Sequence, residues 1–566
     1  MRLPHLLLAT ALWSGTLLPA VAASGPQDPP SASAGPNGTV RKHLVYFRDK
    51  ANSPYSTSQP LQYLSARAVQ RRQRQNIAVQ PRDLPVNPAY VQQVKAVPGA
   101  QLWYTSRWFN AAVVACDSAT LAQLQTLPCV QTIKTVNRGL PGTRKRDGAE
   151  QEAARTSGTR AEYGTAYTQA KMIGAIDMHD AGFRGEGMQI AVFDAGFPGV
   201  NTTTPFAAMR TENRLGSVFN FVEKNQQVFL RNNHGTNCLS TMAGNQPGLY
   251  IGTAPKASYH LYVTEDVTSE HPVEEVNWLI AAEYADSVGV DIISSSLGYN
   301  TFDYPSIDYT NGDLNGRTAL STRAATVAAR VGMLVVNSAG NEGNGTWRHI
   351  TAPADADSIL TVGAVDSLLR RASFSSLGPT ADGRIKPNLS AMGQQTAIIT
   401  PTGTAARGNG TSFSCPVLAG MAAGFWQANP TLTAQQVLRF LERSGTQATM
   451  PNDEVGYGIP NFVRAYNLAN PGAPLAATRT TARQELFIYP NPSKDNELFL
   501  QLAEAFRGKP LLVRIYDARG GLVNEQHLPA TSAAEVRLQP LALPKGVYTG
   551  SVTAGKEQRT VRFVKL

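Results

Sequence analysis

Short apolar runs alternate with longer segments of helical composition through the middle of the chain. The apolar runs predict buried strands at residues 189–193, 259–263, 290–295, 333–337 and 359–365. The longer segments predict helices at residues 273–288, 321–331, 414–427 and 433–444. Strands that are buried on both faces are apolar throughout, and alternation with helices is typical of parallel sheets. The pattern therefore predicts a doubly wound α/β domain with a mostly parallel sheet, whose sites form where the strands end.

Two smaller units flank this central domain. Before it, the pattern predicts strands at residues 43–47, 101–105, 111–115 and 130–136, and helices at residues 60–75, 89–96 and 119–125. After it, short strands with turns are predicted at residues 486–489, 498–502, 511–516, 521–526, 535–538, 547–552 and 559–564. We expect a small α+β unit at the N-terminal side and a small β-sandwich at the C-terminal side.

The segments between these units give the predicted domain boundaries. Residues 1–22 have the positive start, apolar stretch and small-residue end of a signal peptide, which predicts export. A Pro-, Ser- and Gly-rich leader opens the N-terminal unit, and an exposed, cleavable linker follows that unit. The predicted division is therefore 1–22, 23–140, 141–162 (linker), 163–470, 471–484 (linker) and 485–566.

The net charge of +10 is unevenly distributed along the 566 residues. Residues 23–160 carry 18 Lys or Arg and 7 Asp or Glu, whereas residues 161–566 carry 32 and 34. The basic surplus thus lies in segments that we expect to be removed, and we expect no nucleic-acid partner. The four cysteines are too few for a disulfide scaffold, and none forms a zinc-like pair with a histidine.

Three motifs that lie far apart in the sequence carry side chains that complete one another's chemistry. Asp194 follows an apolar run, His234 stands in Asn-His-Gly-Thr, and Ser412 stands in Gly-Thr-Ser-Phe-Ser-Cys-Pro. A serine hydroxyl becomes a good nucleophile when a histidine takes its proton and a carboxylate orients that histidine. The order Asp, His, Ser along the chain is one of the few in which this geometry has arisen.

All three motifs resemble those of the subtilisin-like serine peptidases, and the resemblance covers roughly residues 163–469. It implies that Ser412 is the nucleophile, His234 the general base and Asp194 the group that orients the histidine. Asn341, in Ala-Gly-Asn-Glu-Gly, would donate a hydrogen bond to the oxyanion. Ser414 stands where the family usually has alanine.

The resemblance also implies a substrate-binding cleft. Ser296, Leu297 and Gly298 follow an apolar strand and correspond to the family's edge for an extended peptide. Ser338, Ala339 and Gly340 would form the other wall of the primary specificity pocket. Glu265, Asp266 and Glu270 either bias subsites toward basic residues or are simply solvated, and the sequence leaves this open.

The flanking units carry resemblances of their own. The N-terminal unit resembles the pro-segments of subtilisin-like peptidases, which act as folding templates and inhibitors; an unrelated binding domain is the alternative. The C-terminal unit, with Tyr-Pro-Asn-Pro at residues 489–492 and a terminal Lys-Leu, resembles the sorting domain of the type IX secretion system of the Bacteroidetes. Its alternative is a generic carbohydrate- or surface-binding sandwich. The basic triplet at residues 144–146 is either a processing site or a solvated run.

The sequence leaves open whether the chain binds a metal ion and whether its cysteines form disulfides. The predicted chemistry requires no cofactor. Calcium often stabilises this family, and the polar loop at residues 308–316 could offer oxygen ligands, but it does not match an EF-hand and we assign no metal site. Cys238 and Cys415 each lie about one helical turn after a predicted catalytic residue. They are either buried small residues or a disulfide or mercurial-sensitive pair, and the pairing of Cys116 and Cys129 is equally open.

Together these features predict a secreted serine endopeptidase that is made as a zymogen and reaches the cell surface or medium through the periplasm. Its expected partners are polypeptide substrates, its own pro-segment and the type IX secretion machinery, and we expect a monomer. The rival hypothesis is a catalytically inactive subtilase scaffold that binds surfaces. Neither the substrate specificity, narrow or broad, nor the choice between release and surface attachment follows from the sequence.

Overall fold

The computed structural model has three parts along the chain, each with its own sheet. It describes residues 34–35, 38–136, 152–153, 162–475, 487–489, 493, 497–502, 506–533, 535–539, 542–555 and 557–566. The predicted signal peptide at 1–22, the basic triplet at 144–146 and most of the two predicted linkers lie outside these residues. Within the described ranges, no helix combines the length and apolar character needed to cross a bilayer.

The N-terminal part is an antiparallel sheet with helices. Its strands are β1 (Ala34–Gly35), β2 (Gly38–Thr39), β3 (Arg41–Phe47), β4 (Gln101–Ser106), β5 (Ala111–Cys116) and β6 (Val130–Thr135), and its helices are α1 (Ala66–Arg74), α2 (Pro88–Ala96) and α3 (Ser118–Gln125). The last four strands form one sheet in the order β4-β5-β3-β6. Short 3-10 helices lie at Pro60–Gln62 and Pro81–Asp83.

The predicted helix at residues 60–75 is wrong in its first part. Ser65 is extended (φ −65°, ψ 159°), and its side chain accepts a hydrogen bond from the Ala68 amide. A serine in this position caps a helix that begins immediately after it. The segment is therefore a 3-10 turn followed by the separate helix α1.

The central part contains a seven-stranded sheet. The strands of the central part are β7 (Glu152–Ala153), β8 (Gln189–Asp194), β9 (Leu215–Asn220), β10 (Asn245–Gln246), β11 (Tyr250–Ile251), β12 (Ser258–Val263), β13 (Ile292–Ser295), β14 (Leu334–Ser338), β15 (Leu360–Val365), β16 (Leu389–Met392), β17 (Thr396–Ile399) and β18 (Ala405–Gly408). The large sheet has the order β16-β15-β14-β13-β8-β12-β9, and all its pairs are parallel. The predicted doubly wound sheet is confirmed. The prediction missed only its two edge strands, β9, which contains Gly216, and β16, which has four residues.

Helices cover both faces of this sheet. They are α4 (Tyr167–Met172), α5 (Ala175–Asp180), α6 (Ala207–Thr211), α7 (His234–Ala243), α8 (Val273–Val288), α9 (Leu320–Arg330), α10 (Thr411–Ala428), α11 (Ala434–Arg443) and α12 (Phe462–Ala469), with 3-10 turns at Thr204–Phe206 and Asn311–Asp313. Ile190 and Val192 of β8 pack into the core that holds α7 and α10, whereas Ala191 and Phe193 pack into the core that holds α8 and α9. Burial on both faces explains why β8 is apolar throughout.

The C-terminal part is a β-sandwich, as predicted. Its strands are β19 (Phe487–Tyr489), β20 (Phe499–Gln501), β21 (Leu511–Tyr516), β22 (Leu522–Leu528), β23 (Glu535–Arg537), β24 (Gly546–Ala554) and β25 (Glu557–Lys565). They form two antiparallel sheets in the orders β19-β20-β23 and β22-β21-β24-β25. One apolar core, which includes Leu500, Val513 and Phe563, joins the two sheets.

The N-terminal part packs against α8 through a buried ion cluster. Asp286 is fully buried and is paired with Arg71, with Arg72 (2.8 Å) and with Arg107 (2.5 Å). Burial opposes ionisation of Asp286, but the three guanidinium groups outweigh it and lower its pKa to about 2. One turn earlier, Glu283 accepts hydrogen bonds from Ser106 and from two backbone amides of the N-terminal part.

The same contact satisfies the end of α8. The last carbonyls of a helix have no partner within it. Here the carbonyl of Ser287 accepts a hydrogen bond from the Ser65 amide (2.9 Å), and that of Gly289 accepts one from the Arg67 side chain (3.0 Å). The carbonyl of Val290 accepts one from Arg71. The N-terminal part therefore supplies the cap of a central helix.

Candidate active site

A buried carboxylate and a histidine form the base of the site. Asp194 is the last residue of β8 and has no exposed surface, and His234 is the first residue of α7. His234 Nδ1 lies 2.8 Å from Asp194 Oδ1, which also accepts the Ala195 amide at 2.7 Å. Asn232 holds the other side of the helix start, because its Oδ1 accepts the His234 amide (2.8 Å). The imidazole is thus fixed by its Nδ1 atom.

The Asp194 carboxylate also controls the ionisation of His234. Burial lowers the pKa of the imidazole, but the charge of Asp194, together with the hydrogen bond to Asp194 and the contact with Cys238, outweighs burial and holds that pKa well above its ordinary value. A carboxylate that stabilises the imidazolium in this way strengthens the histidine as a base.

Ser412 lies at the start of α10, in the same cleft as His234. Gly410 precedes the helix with φ 152°, a backbone conformation that favours glycine. The Ser412 hydroxyl donates to the carbonyl of Ser296 at 3.5 Å, and among the described residues it makes no hydrogen bond to His234. At the start of α10 the N–H of Thr411 donates to Asn341 and that of Phe413 to the Gly410 carbonyl, so among the described residues the Ser412 N–H is the one left to face negative charge in the cleft.

The backbone of Ser412 is held from outside its own helix. Pro416 has no N–H and therefore cannot bond the carbonyl four residues earlier, which is that of Ser412. That carbonyl instead accepts hydrogen bonds from the Ser296 hydroxyl (2.8 Å) and the Cys238 thiol (3.3 Å). Burial raises the pKa of Cys238 to about 11, so the thiol keeps its proton and remains a donor.

Asn341 points its amide nitrogen toward the cleft. Its Oδ1 accepts hydrogen bonds from the backbone N–H of Thr411 (2.9 Å) and from the Thr411 hydroxyl (3.0 Å). Because a backbone N–H can only donate, the atom that faces Thr411 must be the oxygen. Nδ2 is therefore left as a donor beside the start of α10.

The two predicted substrate-binding segments form opposite walls of one cleft of about 610 Å³. Ser296, Leu297 and Gly298 follow β13 on one side, and Ser338 and Gly340 lie at the end of β14 on the other. Of the ten predicted site residues only Ala339 does not reach the cleft; its side chain packs in the apolar cluster with Leu314, Ile350 and neighbouring residues. The backbone carbonyl of Ala339 instead accepts a hydrogen bond from the Thr351 amide.

Possible metal ligands lie close to the cleft. Ligand atoms of Glu265, Glu270 and Glu274 lie within 4.8 Å of one another, as do those of Asp194, His234 and Cys238. In the loop at residues 308–316, Asp308 accepts the Phe302 amide (2.6 Å), and Asp313 accepts the amide and hydroxyl of Thr310. The carboxylates of this loop are therefore already engaged by the chain itself.

All four cysteines are reduced and buried. Cys116 and Cys129 belong to the core of the N-terminal part, and Cys415 lies in the core beneath the sheet. The structure thus favours the interpretation as buried small residues, the first of the two alternatives that the sequence left open.

The sequence interpretation missed several residues of the cleft. Thr411 was visible within the serine motif, and Asn232 lies two residues before His234, so both had a local signal. Thr351, Phe374 and Asn409 also line the cleft. Thr351 lies ten residues after Asn341 in a segment without a motif, and only the fold brings it to the site.

Comparison with known proteins agrees with the fold. A family model described as "Subtilase family" matches residues 185–458, one described as "Peptidase S8 propeptide domain, Bacteroidota" matches residues 42–153, and one described as "Secretion system C-terminal sorting domain" matches residues 487–566. Subtilisin DY of Bacillus licheniformis is 32% identical over 290 residues, which cover 51% of this chain and 93% of that protein. Subtilisin NAT of Bacillus subtilis subsp. natto is 29% identical over 352 residues, which cover 62% and 78%.

This chain belongs to the subtilase family. It carries an S8 propeptide domain of the Bacteroidota type before the subtilase domain and a type IX secretion sorting domain after it. The sorting domain indicates secretion or attachment to the cell surface.

Proposed function

We propose that the chain is a secreted serine endopeptidase, made as a zymogen, that hydrolyses peptide bonds through an acyl-enzyme. The observation that carries this proposal is the hydrogen bond between Asp194 and His234 in a cleft that also holds Ser412 and Asn341. A triad requires its serine hydroxyl to face the histidine. A rotation of the Ser412 side chain from the Ser296 carbonyl toward His234 would complete the arrangement.

The residues of the site then have defined roles in the reaction. His234 Nε2 takes the Ser412 proton while the serine oxygen attacks the peptide carbonyl carbon, and Asp194 stabilises the imidazolium. The carbonyl oxygen becomes an oxyanion that accepts hydrogen bonds from Asn341 Nδ2 and the Ser412 backbone N–H. His234 gives its proton to the leaving amine, and water then releases the acyl group by the reverse sequence. We propose that these steps require no cofactor.

The N-terminal unit is proposed as the pro-segment of this zymogen. Its arginine side chains form ion pairs with Asp286, and one of its backbone amides donates a hydrogen bond to Glu283. Charged and polar groups of both parts therefore hold this unit against the central domain. We also propose the domain boundaries that the sequence predicts, a monomeric state, and export through the type IX secretion machinery.

The test compares purified wild-type protein with the Ser412→Ala variant by intact mass, N-terminal sequencing and peptide hydrolysis. We expect the wild type to lose its N-terminal unit and to hydrolyse peptides, and the variant to do neither while a cooperative thermal unfolding transition shows that it is folded. A variant that hydrolyses peptides as fast as the wild type would show that Ser412 is not the nucleophile. A wild type without any hydrolysis would instead favour the inactive surface-binding scaffold.

A further inference from the structure

Thr351 lies between the two walls of the cleft and ties them together. Its amide donates to the carbonyl of Ala339 on one wall (3.1 Å). The next residue, Ala352, exchanges two backbone hydrogen bonds with Tyr299 on the other wall (2.7 and 3.1 Å). The backbone at Thr351 is therefore fixed from both sides, and its side chain occupies a defined place between them.

The Thr351 side chain fills the space that two wall glycines leave open. A Cβ atom placed on Gly298 would lie 2.1 Å from Thr351 Oγ1, and one placed on Gly340 would lie 3.0 Å from the same atom. A side chain at Gly298 would therefore require Thr351 to move, and one at Gly340 would meet both Ser376 Oγ (2.8 Å) and Thr351 Oγ1. Thr351 thus contacts both walls at this depth.

The hydroxyl of Thr351 has no hydrogen-bond partner among the described residues, although the residue is only 3% exposed. The neighbouring hydroxyls are engaged, because Ser338 donates to the Leu297 carbonyl (3.3 Å) and Ser376 accepts the Glu342 amide (3.0 Å). A buried hydroxyl without a partner is costly, so a ligand that supplies one gains affinity.

We infer that Thr351 is the floor of the primary specificity pocket and that it selects peptides with a short, hydroxyl-bearing side chain before the scissile bond. This inference rests on the proposed peptidase function. The threonine makes the pocket shallow, which excludes aromatic side chains. A small rotation of its side chain brings Oγ1 within hydrogen-bond distance of a serine hydroxyl of the substrate. That hydroxyl then supplies the hydrogen-bond partner that Oγ1 lacks.

The experiment measures kcat/KM of the mature wild-type enzyme on succinyl-Ala-Ala-Pro-Xaa-p-nitroanilides, with Xaa as Ser, Ala, Phe or Lys. We expect Ser to exceed Ala by about three- to tenfold, the usual worth of one hydrogen bond. Phe should fall below Ala by at least about tenfold, since a pocket that is too small rejects larger groups strongly.

Two substitutions separate the size of the floor from its hydroxyl. Thr351→Val keeps the volume, so it should abolish the preference for Ser over Ala but keep the rejection of Phe. Thr351→Ser keeps the hydroxyl and removes a methyl group, so it should keep the preference for Ser and admit larger side chains. Thr326→Val, a change on the remote helix α9, is the control and should leave both ratios unchanged, and melting temperatures check that each variant is folded.

The outcomes distinguish this inference from the function on which it rests. If the wild type cleaves the Phe peptide best, or if Thr351→Val keeps the wild-type ratio of Ser to Ala, the assignment of Thr351 is wrong while the peptidase function stands. Preference for Lys would likewise overturn it and point to Glu342 at the rim, which also lines the cleft. If the wild type cleaves none of the peptides and no casein, the proposed function fails and this inference fails with it.

Discussion

The hydroxyl of Ser296 donates a hydrogen bond of 2.8 Å to the backbone carbonyl of Ser412. Two features make this bond matter: Pro416 removes the helical donor for that carbonyl, and the bond joins a wall of the cleft to the residue proposed as nucleophile. The position of Ser412 thus depends on a side chain that belongs to the substrate-binding edge.

Replacing Ser296 with alanine should therefore weaken both stability and catalysis. Of its two side-chain donors, the Ser412 carbonyl would keep the Cys238 thiol, and an under-satisfied buried carbonyl costs about 1–3 kcal/mol. We expect a lower melting temperature and a kcat that falls by roughly three- to tenfold, if part of this cost, ~1 kcal/mol, appears as a misplaced nucleophile. Ser414→Ala is the matched control, because in the part of the chain that the structure describes the Ser414 hydroxyl bonds the Thr411 carbonyl of its own helix and no other group. Equal effects in the two variants would contradict the positioning role.

Replacing Asn341 with aspartate tests the oxyanion role without removing the contact to Thr411. The aspartate keeps an oxygen for the Thr411 amide and hydroxyl but has no amide nitrogen. We expect kcat to fall by about 10²–10³ with little change in KM, as for the loss of one oxyanion donor. Steady-state kinetics on a peptide substrate measures both constants. A change in KM alone would show that Asn341 binds the ground state instead.

Activity should follow the ionisation of His234. The base must be unprotonated, so kcat/KM rises with pH through the pKa of His234, which the charge of Asp194 raises against the effect of burial. In Asp194→Asn that charge is gone, so the pKa falls and the acid limb of the pH profile moves to lower pH. The plateau should also drop by about 10⁴, because the histidine loses its orienting group. An acid limb that stays in place would exclude His234 as the titrating base.

Removing the Asp286 carboxylate should loosen the N-terminal part from the central domain. In Asp286→Ala, the buried side chain of Arg71 loses its carboxylate and that of Arg72 keeps only the longer pair with Asp83 (3.4 Å), and the loss of a buried ionic partner costs about 3–5 kcal/mol. Asp291→Ala is the comparison, because its partners in the N-terminal part, Arg67 and Arg74, are 34% and 48% exposed and their pairs are worth less. Asp291 also accepts the Gln189 amide, so melting temperatures check that this variant keeps its fold. In the Ser412→Ala background, which keeps the chain intact, limited proteolysis should release the N-terminal part far faster from the Asp286 variant.

Acid should not break the same contact in the range of pH 5 to 7. A lowered carboxyl pKa gives stability that is present above the unfolded value and is lost only as pH falls through the folded value, which for Asp286 is about 2. Burial raises the pKa of Glu283, and such a group gains stability as pH falls. Proteolysis of the Ser412→Ala precursor at pH 5 and pH 7 checks this, and faster release at pH 5 would contradict it.

Thiol reagents should find no target in the folded protein. All four cysteines are buried, and burial raises the pKa of Cys116 and Cys238 to about 11 and that of Cys415 to about 12. Only a thiolate reacts quickly. Titration with Ellman's reagent should detect essentially no thiol in the native Ser412→Ala precursor and four in guanidinium chloride. Two or fewer in the denatured protein would indicate a disulfide.

Local patterns predicted most of the fold because buried strands and helices are apolar over their own length. The strand at 511–516 and the helix at 273–288 were predicted to the residue. The helix at 60–75 was not, because a single cap at Ser65 outweighed a continuous helical composition. The edge strand β16 was missed because Ser390 and Ala391 separate its two large apolar residues, so it contains no apolar run.

The site residues divide in the same way, into those that a local motif reveals and those that only the fold brings together. Asp194, His234, Ser412 and Asn341 each lie in a short motif, so one sequence could nominate them, and their catalytic roles stay predictions. Thr351 has no such motif. Its meaning depends on Gly298 and Gly340, which are its neighbours only after the sheet has formed.

The cap that the N-terminal part places on α8 has a consequence for the lifetime of the mature enzyme. Once the N-terminal unit is cut away, the carbonyls of Ser287, Gly289 and Val290 exchange their protein donors for water. If this unit acts as a folding template, as its resemblance to pro-segments implies, the remaining domain would have been assembled with a template that the mature enzyme lacks. We therefore expect its persistence to be governed by how slowly it unfolds rather than by how readily it refolds, so that inactivation by heat is a one-way event.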